Sequence, residues 1–230
     1  MDALVFDFDG VVVDSEPIHL KCFRKVLGRI GVRLTSREYY GEYLGYDDHD
    51  CFAAVAADRG LSLSESRIAR MIAAKTALVR RAFANAISAL PGAVELIRSA
   101  AEAGIPVAVC SGALREEIEL AARTVGALAH FTVIISAEDV SRGKPDPEGY
   151  RLTLEALAAA CGRGVVAGRC AAVEDSPAGI EAAAGAGMKT LAVTNSYPRS
   201  RLRRADRIVS SLSEVTLEQL ERLCGQAIGG

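Results

Sequence analysis

The stretch LVFDFDGVVVDSEP, residues Leu4 to Pro17, places two acids at the end of an apolar run. The run Asp2 to Phe8 is predicted to form a β-strand that ends before Gly10. Side chains two residues apart in a strand project to the same side, so Asp7 and Asp9 are expected to point together. Two such carboxylates beside apolar neighbours repel each other and lose hydration, a conflict that Mg²⁺ removes. The alternative is that the acids only cap a turn, because Asp-Gly is a common turn former.

Composition and charge exclude several classes of protein. The chain has 230 residues, half of them hydrophobic, and a formal net charge of −2, which suits one large domain or a domain that carries an insertion. Basic and acidic residues are mixed without a block of one sign, so we expect no nucleic-acid partner. The apolar runs are far shorter than the roughly 20 residues that span a bilayer. No membrane association is expected, and a monomer is the default.

The N-terminus and the cysteines indicate a cytoplasmic protein. After Met1 comes the acidic Asp2, and the chain enters a strand-like run at once, without the basic and apolar regions of a secretory signal. Its six cysteines are scattered, with no pair at zinc-site or redox-motif spacing. We therefore expect most of them to be small, reduced core residues.

From residue 89 onward, helical and β periodicities alternate along the chain. Strands that are apolar throughout and separated by helix-length connections indicate a parallel sheet covered on both faces. The predicted fold class is therefore α/β, a doubly wound, Rossmann-like parallel sheet that includes the first strand. The predicted strands after the first cover 105–110, 131–136, 170–175, 190–195 and 206–211, and the predicted helices cover 92–104, 114–126, 147–161, 177–187 and 212–224.

A different pattern lies between the first strand and this alternating region. The segments 18–31, 36–44, 47–60 and 66–87 all have helical periodicity, and no β run separates them. The simplest organisation is a helical domain, residues 15–88, inserted into a catalytic α/β domain formed by residues 1–14 and 89–230.

Three further strand ends carry residues suited to a functional site. Glu174 and Asp175 follow a predicted strand, although Asp175-Ser176-Pro177 also fits a helix N-cap. Ser111-Gly112 precedes a predicted helix, where a hydroxyl and free amides can bind an anion, although serine there is usually a cap. Lys144 lies in the loop SRGKPDP, which its prolines stiffen, although a loop lysine is more often only solvated.

Taken together, the motifs DFDGVVVDSEP, VCSGA, GKPDP and VEDSPAGIEAAAGAGM resemble the haloacid dehalogenase superfamily. The similarity is strongest to the subgroup that contains β-phosphoglucomutase and phosphoglycolate phosphatase. It covers nearly the whole chain, in family order, with a helical cap inserted after the first strand. The resemblance implies a phosphotransferase of the α/β class.

The resemblance also implies roles for the reacting residues. Asp7 matches the nucleophile that forms an aspartyl-phosphate, and Asp9 matches the general acid and base. Ser111, with the amide of Gly112, and Lys144 match the groups that hold phosphoryl oxygens. Superfamily dehalogenases are disfavoured, because they lack the second acid and need no metal.

Mg²⁺ is the implied cofactor. The Asp7 side chain, the Asp9 backbone carbonyl and Asp175 match its ligands, and Glu174 would support it directly or through water. Phosphoryl transfer asks mainly for positioning and for neutralisation of oxygen charge, which a Mg²⁺, a lysine and backbone amides supply.

Substrate specificity is expected to come from the cap. His19 and the loop Glu42 to Asp48, around Gly45, are the expected contributors. A histidine on a helix is, however, more often an exposed or core-edge residue than a ligand contact. β-Phosphoglucomutases carry a lysine just before this glycine and an arginine three residues after it, whereas this chain has Leu44 and Asp48. An acid where a second phosphate should bind argues against a bisphosphate intermediate.

The sequence therefore favours a Mg²⁺-dependent phosphatase that hydrolyses a small phosphorylated metabolite of the sugar phosphate or phosphoglycolate type. A phosphosugar mutase is the alternative within the same family. A binding or regulatory protein that has kept the fold without the reaction is the third hypothesis, and the intact set of acids, serine and lysine argues against it.

Overall fold

The computed structural model of the chain describes residues 1–225, and its sheet is built around the first apolar run. β1 (Ala3–Phe6) is buried at every position. It pairs in parallel with β2 (Val107–Cys110) on one side and β4 (Cys170–Glu174) on the other. With both edges hydrogen-bonded and both faces covered, a strand of purely apolar residues is the expected choice.

The remaining strands are β3 (Val133–Ile135), β5 (Lys189–Val193) and β6 (Arg207–Val209). Within the described residues, the six parallel strands form one sheet in the order β3-β2-β1-β4-β5-β6. The strand order changes direction between β1 and β4, and ligands bind in such sheets at the carboxyl ends of the strands where this reversal occurs. The predicted doubly wound α/β fold is confirmed, and its binding edge lies where Asp7 and Asp175 follow their strands.

Helices cover the sheet, and the abundant alanines let them approach closely. Ala3, Ala108 and Ala172 of the sheet form a core cluster with Tyr150 and Leu157 of a covering helix. The helices are α5 (Ala93–Glu102), α6 (Arg115–Thr124), α7 (Glu148–Cys161), α8 (Pro177–Gly185) and α9 (Leu217–Gly225). The prediction that the last helix begins at residue 212 is wrong, because Leu212–Glu214 forms a separate 3₁₀ turn.

The segment between β1 and α5 contains only helices and turns among its described elements. Its helices are α1 (Glu16–Gly28), α2 (Ser36–Glu38), α3 (Asp48–Ala57) and α4 (Glu65–Ala86). α4 packs on α1 and α3, around a core that includes Phe23, Phe52 and Met71. The expected helix 36–44 is instead a three-residue α-helix followed by one π-helical turn, Tyr39–Tyr43.

The chain divides into two compact units. One consists of Met1–Asp14 with the chain from Ile87 onward, and the other is Ser15–Ala86. We call them the core unit and the helical unit. The chain leaves the helical unit at the end of α4, two residues before the predicted boundary, and the role of this unit as a cap stays a prediction.

Two expectations from composition can be compared with the described residues. All six cysteines are free thiols, and five of them are buried, as the sequence analysis predicts. None of the helices in residues 1–225 combines the length and the apolar character needed to cross a membrane.

Candidate active site

Adjacent strands bring the first and last acidic motifs together. In the parallel register, Phe6 at the end of β1 lies opposite Val173 of β4. The ladder continues for one more bond, from the Asp7 amide to the Val173 carbonyl at 2.9 Å. Asp7 therefore leaves the sheet beside the end of β4, where Glu174 and Asp175 follow.

Three carboxylates converge at this edge of the sheet. Asp7, Glu174 and Asp175 are all buried, and one carboxylate oxygen from each lies within 4.8 Å of the others. Three buried acids carry more negative charge than one neighbouring lysine offsets, and hard oxygen ligands suit Mg²⁺. The donor set thus fits a divalent cation. A second group, Asp47 with His49 and Asp50, is exposed, and exposed acids commonly cluster without an ion.

Lys144 is the cation of the site rather than a solvated loop residue. Its Nζ donates to Asp7 Oδ1 at 2.8 Å, to Glu174 Oε1 at 2.7 Å and to the Cys110 carbonyl oxygen at 3.0 Å. Only 19% of its side chain is exposed. The three hydrogens of the ammonium thus have three acceptors, which come from the ends of β1, β2 and β4.

The pKa values of these groups follow from burial and from one another. Burial raises the pKa of Asp7 to about 7, with Glu174 and Asp9 adding to the rise and Lys144 opposing it. Burial and the neighbouring Asp7 and Glu174 charges also raise the pKa of Asp175 well above its usual range. Burial lowers the pKa of Lys144, but the two carboxylates it contacts more than offset this and raise it. The lysine therefore stays charged, and the acids compete for too little positive charge.

Glu174 is completely buried beneath this group. Besides Lys144, its Oε1 accepts from the Tyr150 hydroxyl at 2.6 Å, and its Oε2 accepts from the Ser176 hydroxyl at 3.2 Å. A Cβ at Gly179, in the first turn of α8, would lie only 1.9 Å from the Glu174 carboxyl. Glycine is therefore required where the helix passes over this side chain.

The start of α8 shows which residue caps the helix and which is left available to bind a metal, two roles that the sequence alone does not separate. Ser176 is the N-cap, its Oγ accepting from the Gly179 amide at 3.0 Å, and Pro177 occupies the first turn. The helix start is thus satisfied by Ser176. The Asp175 carboxylate is left to face Asp7.

Gly10 forms the opposite wall around Asp175. Its φ is +75°, and a Cβ there would lie 2.0 Å from Asp175 Oδ2 and 2.7 Å from Ser196 Oγ. The Ser196 hydroxyl donates to Asp175 Oδ2, and the Asn195 side-chain amide donates to the Gly10 carbonyl at 2.7 Å. The loop after β5 therefore holds both the turn of the first motif and the last acid.

Ser111 follows β2, next to the carbonyl that binds Lys144. It is buried, and its hydroxyl oxygen accepts from the Ala113 amide at 3.0 Å. α6 begins later, with Leu114 at its N-cap, so Ser111 does not cap the helix. The hydroxyl keeps its own hydrogen for donation, and Gly112 beside it is exposed.

Asp9 lies outside the strand, which corrects the predicted alternation. β1 ends at Phe6 rather than Phe8, because the Phe8 carbonyl accepts from the Val12 amide at 2.8 Å and turns the chain. In residues 1–225, the metal-competent carboxylate cluster includes Asp7 but not the Asp9 side chain. The Asp9 charge still contributes to the raised pKa of Asp7, and its predicted backbone ligation and acid–base role stay predictions.

The helical unit contains a polar cluster of its own. Lys75 of α4 is buried, and its Nζ donates to Asp48 and, at 3.0 Å, to Nδ1 of His19. Burial and the Lys75 charge lower the pKa of His19 to about 3, so this imidazole is neutral. Gly45 lies in the turn before α3, with a φ of +86°. The substrate contacts predicted for His19 and Gly45 stay predictions.

A sequence profile of haloacid dehalogenase-like hydrolases matches residues 1–187. The chain belongs to this family. The resemblance inferred from the four motifs is therefore confirmed, and with it the prediction that the chain is an enzyme.

Two curated relatives of this haloacid dehalogenase-like hydrolase are phosphatases by name. It is 32% identical over 212 residues to validoxylamine A 7′-phosphate phosphatase of Streptomyces hygroscopicus subsp. limoneus, covering 92% of this chain and 94% of the relative. It is 30% identical over 217 residues to hexitol phosphatase A of Escherichia coli strain K12, covering 93% and 92%. A crystal structure of CbbY from Rhodobacter sphaeroides in complex with phosphate superposes with a TM-score of 0.85 at 28% identity, covering 96% of this hydrolase and 99% of that chain.

Four side chains of these polar networks are absent from the sequence prediction. Tyr150 contacts Glu174, Asn195 and Ser196 contact the Gly10 turn and Asp175, and Lys75 contacts Asp48 and His19. The one available signal is that Tyr150 ends the run GKPDPEGY, six residues after Lys144. Asn195 and Ser196 follow the last motif by seven and eight residues, and Lys75 lies far in sequence from all four motifs.

Proposed function

We propose that this hydrolase is a Mg²⁺-dependent phosphatase that acts on a small phosphorylated metabolite through an aspartyl-phosphate at Asp7. The observation that carries the proposal is the convergence of Asp7, Lys144 and Asp175 from three separate motifs at one edge of the sheet. A structural role alone gives no reason to bury three acids with one lysine, because their mutual repulsion and lost hydration destabilise the fold.

In the proposed reaction, an Asp7 carboxylate oxygen attacks phosphorus while the bond to the leaving alkoxide breaks. Asp9 donates the proton that the alkoxide takes up. Asp9 then removes a proton from water, the water oxygen attacks the same phosphorus, and the Asp7 carboxylate and inorganic phosphate are released. Lys144 and Ser111 neutralise and orient phosphoryl oxygens during both steps.

The cation would be held by the carboxylates of Asp7 and Asp175, with Glu174 behind them. When bound, Mg²⁺ supplies positive charge toward the phosphoryl oxygens. Its charge would also favour the ionised form of Asp7, whose raised pKa otherwise leaves only part of the population ionised at neutral pH.

We further propose a monophosphate ester of a sugar or polyol as the substrate, rather than a bisphosphate. The names of the phosphatases similar to this chain support a phosphorylated carbohydrate as the substrate. In the helical unit, the ammonium of Lys75 is paired with Asp48, and His19 is neutral. This cluster has no excess positive charge for a second phosphate, which supports hydrolysis over a mutase cycle.

The free thiols of all six cysteines support a reducing compartment such as the cytoplasm.

The test is phosphate release by the purified chain from p-nitrophenyl phosphate and from a panel of hexose, hexitol and pentose phosphates and phosphoglycolate. We expect release with Mg²⁺, its loss on chelation, and its loss in Asp7→Asn. The matched control is Asp50→Asn, which makes the same chemical change at an exposed carboxylate and should leave release unchanged.

Two outcomes would replace the proposal. Interconversion of sugar phosphates that requires a bisphosphate primer, with little phosphate released, would indicate the mutase. Tight Mg²⁺ binding by a folded protein that turns over no ester in the panel would indicate a binding protein instead.

A further inference from the structure

Tyr150 is a fully buried side chain of α7, and its hydroxyl contacts the carboxylate of Glu174. The hydroxyl donates to Glu174 Oε1 at 2.6 Å. The same oxygen accepts from Lys144 Nζ at 2.7 Å. Tyrosine and lysine thus share one acceptor, and Tyr150 is separated from the reacting carboxylate of Asp7 by Glu174 and Lys144.

The Glu174 carboxylate is fixed on both of its oxygens. Oε2 accepts from the Ser176 hydroxyl at 3.2 Å and from the Asp175 amide at 3.3 Å. These donors are local to the start of α8, whereas Tyr150 belongs to α7 and Lys144 lies in the loop before that helix. Tyr150 is therefore the donor that sets where Oε1 lies relative to Lys144.

The interaction of Lys144 with Glu174 Oε1 affects how strongly the same ammonium interacts with Asp7. The ammonium has three hydrogens and three acceptors, of which Glu174 and Asp7 are charged. A hydrogen bond from Tyr150 disperses negative charge on Glu174, so the carboxylate attracts Lys144 less strongly. More of the lysine charge is then directed toward Asp7.

Packing alone does not account for the hydroxyl. The Tyr150 ring belongs to the cluster of α7 and the sheet, a role that phenylalanine would fill without burying a polar group. Burying a hydroxyl is unfavourable unless it finds a partner, and the hydrogen bond of this hydroxyl goes to Glu174. Burial and the Glu174 charge raise the pKa of Tyr150 well above its usual value, so the phenol remains a donor.

We propose that Tyr150 is a positioning residue for phosphoryl transfer, in which its hydroxyl holds Glu174 so that Lys144 is aimed at Asp7 and the phosphoryl oxygens. The inference rests on the proposed phosphatase function. It assigns Tyr150 an effect on the rate of the chemical step and not on substrate recognition.

The test compares Tyr150→Phe with Tyr39→Phe. Tyr39 is also buried, and its hydroxyl donates to Glu16 Oε2 at the same distance of 2.6 Å, but in the helical unit. Steady-state kinetics with p-nitrophenyl phosphate and Mg²⁺, together with the melting temperature, are measured for both variants. We expect Tyr150→Phe to lower kcat roughly 10- to 100-fold with KM little changed. Tyr39→Phe should leave kcat unchanged, and both should melt at reduced temperature.

A double-mutant cycle with Glu174→Gln tests the route of the effect. If Tyr150 acts through Glu174, Tyr150→Phe should change kcat less than about twofold once Glu174 is replaced. A Tyr150→Phe enzyme with wild-type kcat and a lower melting temperature would reduce the residue to packing. Full additivity in the cycle would equally overturn the inference. Absence of turnover in the wild-type chain would instead overturn the proposed function, and the inference with it.

Discussion

Replacement of Gly10 by alanine should disable the site and also destabilise the fold. The perturbation has two components. An L-residue in the left-handed region costs about 1–2 kcal/mol, since φ at Gly10 is +75°. In addition, the new Cβ would lie 2.0 Å from Asp175 Oδ2.

The size of the second component follows from the distance. Real Cβ contacts stay beyond 3.0 Å, so the Gly10 turn and Asp175 must separate by about 1 Å. Asp175 cannot retreat freely, because it is buried and its Oδ2 accepts from Ser196. A displacement of this size between reacting or ligating groups lowers rates by about 100-fold. Overpacking adds about 1–3 kcal/mol to the loss of stability.

Gly126 provides the matched control. Its φ is +78°, nearly that of Gly10, but a Cβ there meets nothing within 4 Å. Gly126→Ala should therefore show the backbone cost alone, with kcat/KM unchanged.

The assay is Mg²⁺-dependent hydrolysis of p-nitrophenyl phosphate by the wild type and both variants, with urea unfolding of each. We expect kcat/KM to fall at least about 100-fold in Gly10→Ala and to stay at the wild-type value in Gly126→Ala. If the two variants were equally active, contact between Gly10 and Asp175 would not matter for catalysis, and the reasoning would be refuted.

Two further predictions concern ionisation. The pKa of His19 is about 3 in the native protein against 6.5 for the free group, so the unfolded chain binds the additional proton, and stability must fall as the pH drops from 6.5 toward 3. Between pH 7 and pH 5 the loss of unfolding free energy amounts to up to about 2 kcal/mol. Urea unfolding should show this loss in the wild type and not in His19→Gln, and the same pH dependence in both would contradict the prediction. In Lys144→Met the cation that lowers the pKa of Asp7 is lost, so kcat/KM should fall at least about 100-fold and its acidic limb should move to higher pH; an unmoved limb would show that Lys144 does not control the ionisation of Asp7.

Much of the fold could be predicted from local pattern. Apolar runs such as Val107–Cys110, each separated from the next by a helical periodicity, suffice to predict a covered parallel sheet. The ends of the elements could not be predicted in the same way. β1 stops at Phe6 because the Phe8 carbonyl is used by the Val12 amide, and the last helix begins at Leu217 because residues 212–214 close a separate turn.

Some residues of the site could also be predicted from sequence, and others could not. Asp7, Lys144 and Asp175 could be assembled from sequence, because each belongs to a motif that follows a strand or a stiffened loop. Tyr150 and Ser196 could not, because neither belongs to such a motif and their contacts with Glu174 and Asp175 depend on how α7 and the loop after β5 are oriented. The sequence shows the negative charge of Asp48 but not the lysine that neutralises it. This partner, Lys75, lies 27 residues further along the chain, on another helix.

The most direct test of the central claim is whether Asp7 becomes phosphorylated. In Asp9→Asn the proposed base for the second step is missing, while p-nitrophenolate leaves without a proton, so the covalent form should accumulate with Mg²⁺ present. We expect mass spectrometry of the acid-quenched protein to show one added phosphoryl group, mapped to the peptide that contains Asp7 and absent from Asp7→Asn/Asp9→Asn. An unmodified protein that still turns over, or a phosphoryl group on Ser111, would contradict the account.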